Sequence, residues 1–421
     1  MTNLNKNNKI DFLNKIKEIS ALIDFVETPD INYIKKIKTN YYFYDGSNER
    51  YHYAVSKIDF ATFSKIFNEL YNFNDQIAKV SYEEYFKKKL FDLIYDSKCK
   101  KKEIDYDDFI KTLLKTKLNE YTFISNLYGI SLIDNTHIEF SKNIVIAHSN
   151  FVLKQYSHDN RFIDKVRNNK SQFTKDHFYL IYKNIEAIDQ EKARILLKKK
   201  FEHFINTFLY CYGSKRDDNQ KITLHDISSS EMDFLINQNG EASNLWRRNA
   251  LINPVYAIRS TNTNCKELFD FLDIDKNLTE IERKIKIAVN WIGKSLKNNN
   301  IDEAFLYLFL GLESLFSLNE KELISSSIAN QISEIVTFLN SDSPIDRINI
   351  STKIKKLYGK RSSLVHTGVC NVSKEDYYEL LNFIKTAIEK LIALKNNEIN
   401  PLKTSEDLRK WHNKIKFSGK L

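Results

Sequence analysis

Across residues 279 to 392, apolar side chains return every three or four positions in one segment after another, and this spacing commits the region to packed helices. In residues 279 to 297, Ile281, Ile285, Ala288, Val289, Ile292 and Leu296 share a face. After the Asn-rich break at Asn298 to Asn300, the stretch EAFLYLFLGLESLFS is apolar nearly all round, as expected of a helix in the middle of a bundle. Ile324, Ile328, Ile332, Ile335 and Leu339 predict a third helix, ended by SDSP. A fourth is expected from about Asp346 to His366. A fifth opens on a capping-box pattern, Ser373 with Asp376 three residues on, and carries the stripe Tyr377, Leu380, Leu381, Ile384, Ile388, Leu391 and Ile392. Together they predict a bundle of about 120 residues.

The rest of the chain is less uniform. Only nine glycines and four prolines occur in 421 residues, so the turn punctuation of an all-β sandwich is missing and helix should dominate. Near the N-terminus, NYYFYDGSNERYHYAV sets aromatic runs on both sides of Asp45-Gly46, which predicts a hairpin. From Phe60 to Leu118 the spacing is helical again. The stretch from Thr122 to about Ser149 shows short β-rich runs divided by Asp-Asn and Ser-Lys-Asn, hence a small sheet. A long helix is predicted from about Gln190 to Tyr212, then a polar loop GSKRDDNQ and a short strand in KITLHDI. The domain reading is therefore an α+β region with a hairpin at 1–120, a mixed region with a small sheet at 121–250, the helical bundle at 251–397 and a basic C-terminal tail at 398–421.

Cys99, Cys211, Cys265 and Cys370 form no C-x-x-C pair, which argues against a zinc ribbon or a disulfide framework and for reduced thiols. The N-terminus MTNLNKNNKIDFLNKIK lacks the apolar core of a secretion signal, and no apolar run approaches the roughly 20 residues that span a bilayer. A cytoplasmic location without a membrane partner is the expectation. Neither a phosphate-cradling Gly-rich loop nor a metal-ligand spacing such as H-E-x-x-H is found, so no cofactor is expected; His137, His148, His158 and His177 read as structural or surface residues.

The formal charge is +9, and it is concentrated. Residues 351 to 421 carry 15 Lys and Arg against 7 Asp and Glu, a surplus of 15 − 7 = 8. Between Arg347 and Lys374 there is no acidic residue, while Lys353, Lys355, Lys356, Lys360 and Arg361 all fall there. A lysine-rich solvated face would look the same, so charge alone permits a polyanion partner without requiring one. Within this window lies LYGKRSSLVHTG, with Arg361 and His366 five positions apart. One reading makes His366 a helix-end residue, donating to the last carbonyls ahead of a left-handed Gly368. The other makes Arg361 and His366 a catalytic pair.

LYGKRSSLVHTG, the upstream FLYLFLGLESLFS and the downstream YYELLNFIKTAIEKL together resemble the HEPN superfamily, and more narrowly the Apea-like HEPN domains of prokaryotic defence proteins. The likeness spans roughly residues 250 to 397, including AVNWIGKSL. The family motif is Arg, four to six residues, then His, matched here by Arg361 and His366. Ser362 stands where the family often has Asn, Asp or His. The resemblance implies a mainly α fold with an α+β N-terminal region and a C-terminal HEPN-type helical bundle. It also implies a metal-independent endoribonuclease that acts as a homodimer through that bundle, cleaving RNA, with tRNA a candidate, in anti-phage defence by abortive infection. A phage-derived trigger would act through the N-terminal region.

Elementary geometry bears on the dimer. Five positions at about 100° each leave Arg361 and His366 roughly 140° apart on a continuous helix, so one copy does not easily present both to a single phosphate, whereas two copies about a two-fold axis would pool them. Of the neighbouring residues, Lys353, Lys355, Lys356 and Lys360 are expected to hold the RNA backbone, and Tyr358 either stacks a base or belongs to the core. Glu313 interrupts an apolar helix and needs a partner, for which Arg361 is the candidate. The alternative function is a non-catalytic HEPN module for RNA binding or dimerisation, with a regulatory role.

Overall fold

Short-range apolar spacing makes the protein mainly helical, and among the described residues the strands gather into one large and two small sheets. The computed structural model describes residues 6–27, 41–45, 51–73, 83–115, 118–156, 178–213, 222–224, 227–237, 242–250, 256–260, 263–273, 277–316, 325–368, 371–399 and 401–418. Among the described residues no helix is long and apolar enough to cross a membrane. The chain divides into two compact units, one made of 1–122, 184–197 and 236–241, the other of the remaining residues. Residues 121–250, read from the sequence as a region of their own, thus contribute mostly to the second unit.

In the first unit, helices α1 (Lys6–Ala21), α2 (Phe60–Tyr71), α3 (Glu83–Lys100) and α4 (Tyr106–Lys115) enclose an aromatic core. Phe12 meets Tyr106 edge-on at 4.8 Å between ring centroids, and Phe67 meets Phe86 at 5.8 Å. Such tilted pairs add to the burial of their area, because ring edge and ring face carry opposite partial charge. The aromatic runs around Asp45-Gly46 do pair: β2 (Tyr41–Asp45) runs antiparallel to β3 (Tyr51–Ser56), from Tyr41 opposite Ser56 to Asp45 opposite His52. Their connection, 46–50, lies outside the described residues. The sequence reading did not include β1 (Ile23–Glu27), which pairs with the far side of β3.

The second unit holds most of the main sheet. Its strands are β4 (Asn119–Tyr128), β6 (His137–Glu139), β7 (Ile144–His148), β8 (Phe178–Ala187), β9 (Thr223–Leu224), β10 (Ile227–Asn237) and β11 (Ala242–Ala250). They run in the order β11-β10-β4-β8-β7-β6, with β9 also on β4; β5 (Ile130–Leu132) and β12 (Tyr256–Ile258) form a separate parallel pair. Ile144, Val145, Ile146 and Ala147 are all buried, the pattern of a strand covered on both faces. A short helix, α5 (Ser149–Gln155), follows β7, and His148 caps it by accepting from the Asn150 N–H. The sheet is larger than the segment 122–149 suggested. Strands β10 and β11, ISSSEMDFLIN and ASNLWRRNA, lack the apolar alternation that marks a strand locally, and only their neighbours in the sheet define them.

Helix α6 (Gln190–Tyr212) matches the predicted bounds, and α7 (Thr263–Asp273) lies against it through Phe204 and Phe269, 5.6 Å apart, with Phe140 touching both. Five further helices cover the predicted segments: α8 (Glu280–Lys297), α9 (Ile301–Phe316), α10 (Ser325–Asn340), α11 (Pro344–Thr367) and α12 (Lys374–Lys395); Ile324, expected in the third, lies outside the described residues. The six residues expected on the inner face of α8 are all buried, and its capping box joins Thr279 to Glu282. Helix α9 packs along α8, with Gly311 at the crossing and Trp291 stacked on Tyr307 at 5.6 Å.

The expected basic tail requires correction. Residues Ser405–Ser418 form a helix, α13, that buries Leu408, His412 and Ile415. His412 lies edge-on to Phe338 of α10, Lys416 pairs with Glu334 at 2.5 Å, and the Ser405 hydroxyl and N–H donate to Glu280. Positive charge dominated the sequence of this segment, but an apolar residue every three or four positions gives the helix a face to bury. Protonating His412 would place a charge in that contact, and burial accordingly holds its pKa below the usual histidine range.

Helices α6 and α8 approach closely at Gly293. A Cβ there would sit 2.3 Å from the Asn206 backbone, and next to it the Asn206 amide donates to Asn290 at 2.7 Å. Gly293→Ala is therefore expected to force the helices apart and lower stability by about 1–3 kcal/mol despite the better helix propensity of alanine. Urea unfolding of the two proteins measures the difference.

Candidate active site

Helix α11 carries the Arg361 and His366 expected from the sequence, and its burial is one-sided. Ser343 caps it and Pro344 opens it, a residue whose missing N–H costs nothing in the first turn. Ile354 and Leu357 are its fully buried residues, with Arg347, Ile350, Tyr358, Arg361 and Leu364 partly buried beside them. The opposite side is an exposed ridge of Ile348, Thr352, Lys355, Gly359, Ser362 and His366. Their spacing of four, three, four, three and four residues lines them up along one side of an α-helix. Nothing stands within 4 Å of the Cβ position of Gly359, so another backbone can approach the ridge there.

Arg361 faces inward. Its guanidinium pairs with Glu313 of α9, Nη2 lying 3.2 Å from one carboxylate oxygen and 3.4 Å from the other. This is the partner expected for Glu313. Burial raises the pKa of that carboxyl above the usual range, and the arginine offsets only part of the rise. With 30% of the arginine side chain and 26% of the glutamate exposed, the pair is within reach of solvent and of a ligand. It contributes on the order of 1 kcal/mol or less to stability, and its main effect is to orient the guanidinium.

Tyr358 belongs to the same inner side. Its ring meets Phe309 edge-on at 4.7 Å and its hydroxyl is buried, so burial, with the Glu313 carboxylate adding to it, pushes the phenol pKa far up. Of the two readings of Tyr358, packing against the core is the one these contacts describe; the base-stacking role is set aside, because the ring packs on Phe309 and its hydroxyl is buried.

His366 is exposed in the last turn of α11 and makes no hydrogen bond among the described residues. The helix end is closed without it. Gly368, at φ +69°, turns the chain left-handed and donates its N–H to Leu364 at 3.1 Å, while the Thr367 hydroxyl donates to the Ser363 carbonyl at 2.7 Å. Ser362 is exposed on the same ridge, one turn before His366. Arg361 and His366 therefore lie on one continuous helix, turned about 140° from each other and separated along the axis by about 7.5 Å. Within one copy they do not converge.

The acid-free window acquires acids from other elements. Lys353 pairs with Glu379 at 2.5 Å, and Lys360 with Asp376, which also closes the capping box of α12 with Ser373. Lys355 and Lys356 are exposed and make no ion pair among the described residues. Four lysines alike in the sequence thus divide into two neutralised and two available. The counter-ions went unread because Asp376 looked like a cap alone; its position directly after the basic window was the one available signal. Among the described residues no three His, Cys, Asp or Glu side chains come together as a metal site. His137 stacks on Phe151 at 4.0 Å, His148 caps α5, and His158 and His177 lie outside the described residues.

Burial raises the Asp376 carboxyl, but the Lys360 ammonium and the Ser373 N–H and hydroxyl outweigh it and hold the pKa below the usual aspartate value of 3.8. The sign follows from a depressed folded value: this stabilisation is present above the unfolded pKa and is lost as pH falls through the lower folded one. Asp376→Asn is expected to cost about 1 kcal/mol at pH 7, with the gap to the wild type closing in acid below pH ~4. Unfolding curves at pH 7 and pH 3 check both parts.

Compared with family models, curated proteins and solved structures, the chain matches none.

Proposed function

We propose that the chain is a metal-independent endoribonuclease of the HEPN type, with Arg361 and His366 as its catalytic residues and two copies forming each complete site. The observation that carries this reading is His366, an exposed imidazole with no bond to hold, on the same ridge as the available Lys355 and one helix turn beyond Ser362. Arg361, oriented by Glu313, lies on the inner side of the same helix, about 140° round from His366. Because the two face about 140° apart, a ridge-to-ridge approach of two α11 helices, close at Gly359, is the arrangement that would bring His366 of each copy to a shared phosphate.

RNA carries its own nucleophile. One His366 would take the proton from the ribose 2′-OH, and His366 of the partner subunit would give a proton to the departing 5′ oxygen, the two roles of general acid–base catalysis. Arg361 would pair with the non-bridging oxygens as negative charge builds on phosphorus. The products would be a 2′,3′-cyclic phosphate and a 5′-hydroxyl. Lys355 and Lys356 would hold the backbone without reading bases. Degradation of RNA, tRNA among the candidates, after a phage-derived trigger acts on the N-terminal region would make the cellular role abortive infection.

One observation favours the second reading, a non-catalytic RNA-binding or dimerisation module: Arg361 already has a carboxylate partner in Glu313. Incubating the purified protein with RNA in excess chelator separates the two. The enzyme reading expects cleavage to persist with chelator, DNA to remain intact, and His366→Ala to lower the rate by about 100- to 10,000-fold. Arg361→Ala should cost a factor of the same order. Intact RNA with binding retained would establish the module and end the enzyme reading.

The division among the lysines yields its own expectation. Lys355→Ala and Lys356→Ala should each reduce the slope of log binding constant against log salt by about 0.7 for single-stranded RNA. Lys353→Ala should change it less, because Glu379 already neutralises that ammonium. Equal slopes for the three variants would contradict the assignment of the available cations.

A further inference from the structure

Two of the four cysteines, 54 positions apart in the sequence, meet in the second unit. Phe204, Phe208 and Cys211 share a face of α6 at four- and three-residue spacing; Cys265 and Phe269 share a face of α7 at a spacing of four. The two faces pack on each other through Phe204 and Phe269, and at the edge of that aromatic contact the Cys211 and Cys265 side chains are neighbours, near enough for each to influence the other's ionisation. Lys385 of α12 lies beside them, its ammonium 5.2 Å from the ring centre of Tyr210.

The surroundings of the two sulfurs differ. Cys265 is the third residue of α7, in the first turn, where unpaired N–H groups favour an anion. Cys211 is the next-to-last residue of α6, where unpaired carbonyls disfavour one. In agreement, the neighbouring Cys211 thiol lowers the Cys265 thiol pKa, with Lys385 adding to the effect against desolvation. Burial pushes the Cys211 thiol well up, and the Cys265 sulfur raises it further. Cys211 is partly exposed and Cys265 is 8% exposed, which leaves a small reagent a short way in.

We propose that Cys211 and Cys265 form an oxidisable thiol pair that a peroxide converts into a disulfide joining α6 to α7. Cys265 is the attacking sulfur. Its thiolate displaces hydroxide from the peroxide, giving a sulfenic acid; a proton returns to the departing oxygen as water. The Cys211 sulfur then attacks the sulfenic sulfur, its proton leaves with the hydroxyl as a second water, and the S–S bond forms. In sum two thiols and one hydrogen peroxide become one disulfide and two waters. Closing the bond brings the sulfurs to about 2.0 Å. The link would close a loop that includes β9, β10, β11 and β12, a constraint on the unfolded chain.

Treating the full chain with hydrogen peroxide tests this directly. The expected result is loss of two hydrogens in the intact mass and one cross-linked peptide pair containing Cys211 and Cys265. An upward shift of the unfolding temperature that dithiothreitol reverses should accompany them. With Cys211→Ser, peroxide should leave a sulfenic acid at Cys265, trapped by dimedone; with Cys265→Ser, little should be trapped at Cys211. Four free thiols after oxidation, a bond from either residue to Cys99 or Cys370, or trapping mainly at Cys211 would overturn the proposal. Because these readouts are masses and melting temperatures, they stand apart from any activity on RNA.

Discussion

Everything about the candidate site depends on the way the bundle holds α11 along one side. Ile354 and Leu357 anchor it, and the pairing of Arg361 with Glu313 turns the guanidinium inward. Burial of two full side chains supplies a few kcal/mol, far more than an exposed ion pair can. Apolar packing therefore holds the helix in place, and the ion pair directs one side chain. Apart from Ile348, the other side of the helix is left as a ridge of small, polar and cationic residues ending at His366. A helix buried all round would have no such ridge, and one free on all sides would have no fixed direction for Arg361.

The same packing redistributes charge. Sequence distance separates Lys353 from Glu379 and Lys360 from Asp376, yet α12 returns beside α11 and brings the carboxylates to the lysines. What reads along the chain as an unbroken basic block is in space a pair of neutralised cations and a pair of available ones. An approaching polyanion would meet the second pair, on and beside the ridge that ends at His366. This narrows the surface on which the proposed chemistry would occur, and it does so by electrostatics that follow from helix order.

Legibility in the sequence varied with the range of the interaction. Helices α6, α8, α9 and α12 were readable because their signal is local: apolar residues three and four apart, a capping box, an Asn-rich break. The inner partner of Glu313 could be guessed because a carboxylate among Phe and Leu must find a cation. Strands β10 and β11 and the docking of α13 were not readable. Their polar composition resembles loop and tail, and only long-range contacts make them sheet and bundle. The pairing of Cys211 with Cys265 was hidden for the same reason.

The sequence by itself determined that the C-terminal part is a stack of amphipathic helices, where they start and stop, and that Arg361 and His366 ride on one of them about 140° apart. These follow from steric rules acting over one or two helical turns. Only the tertiary structure decided which lysines keep their charge available, that Tyr358 packs inward, that the terminal basic segment docks as a helix, and that two distant thiols become neighbours. Each of those outcomes needs a neighbour supplied from far along the chain, and no local pattern records which neighbour folding will bring.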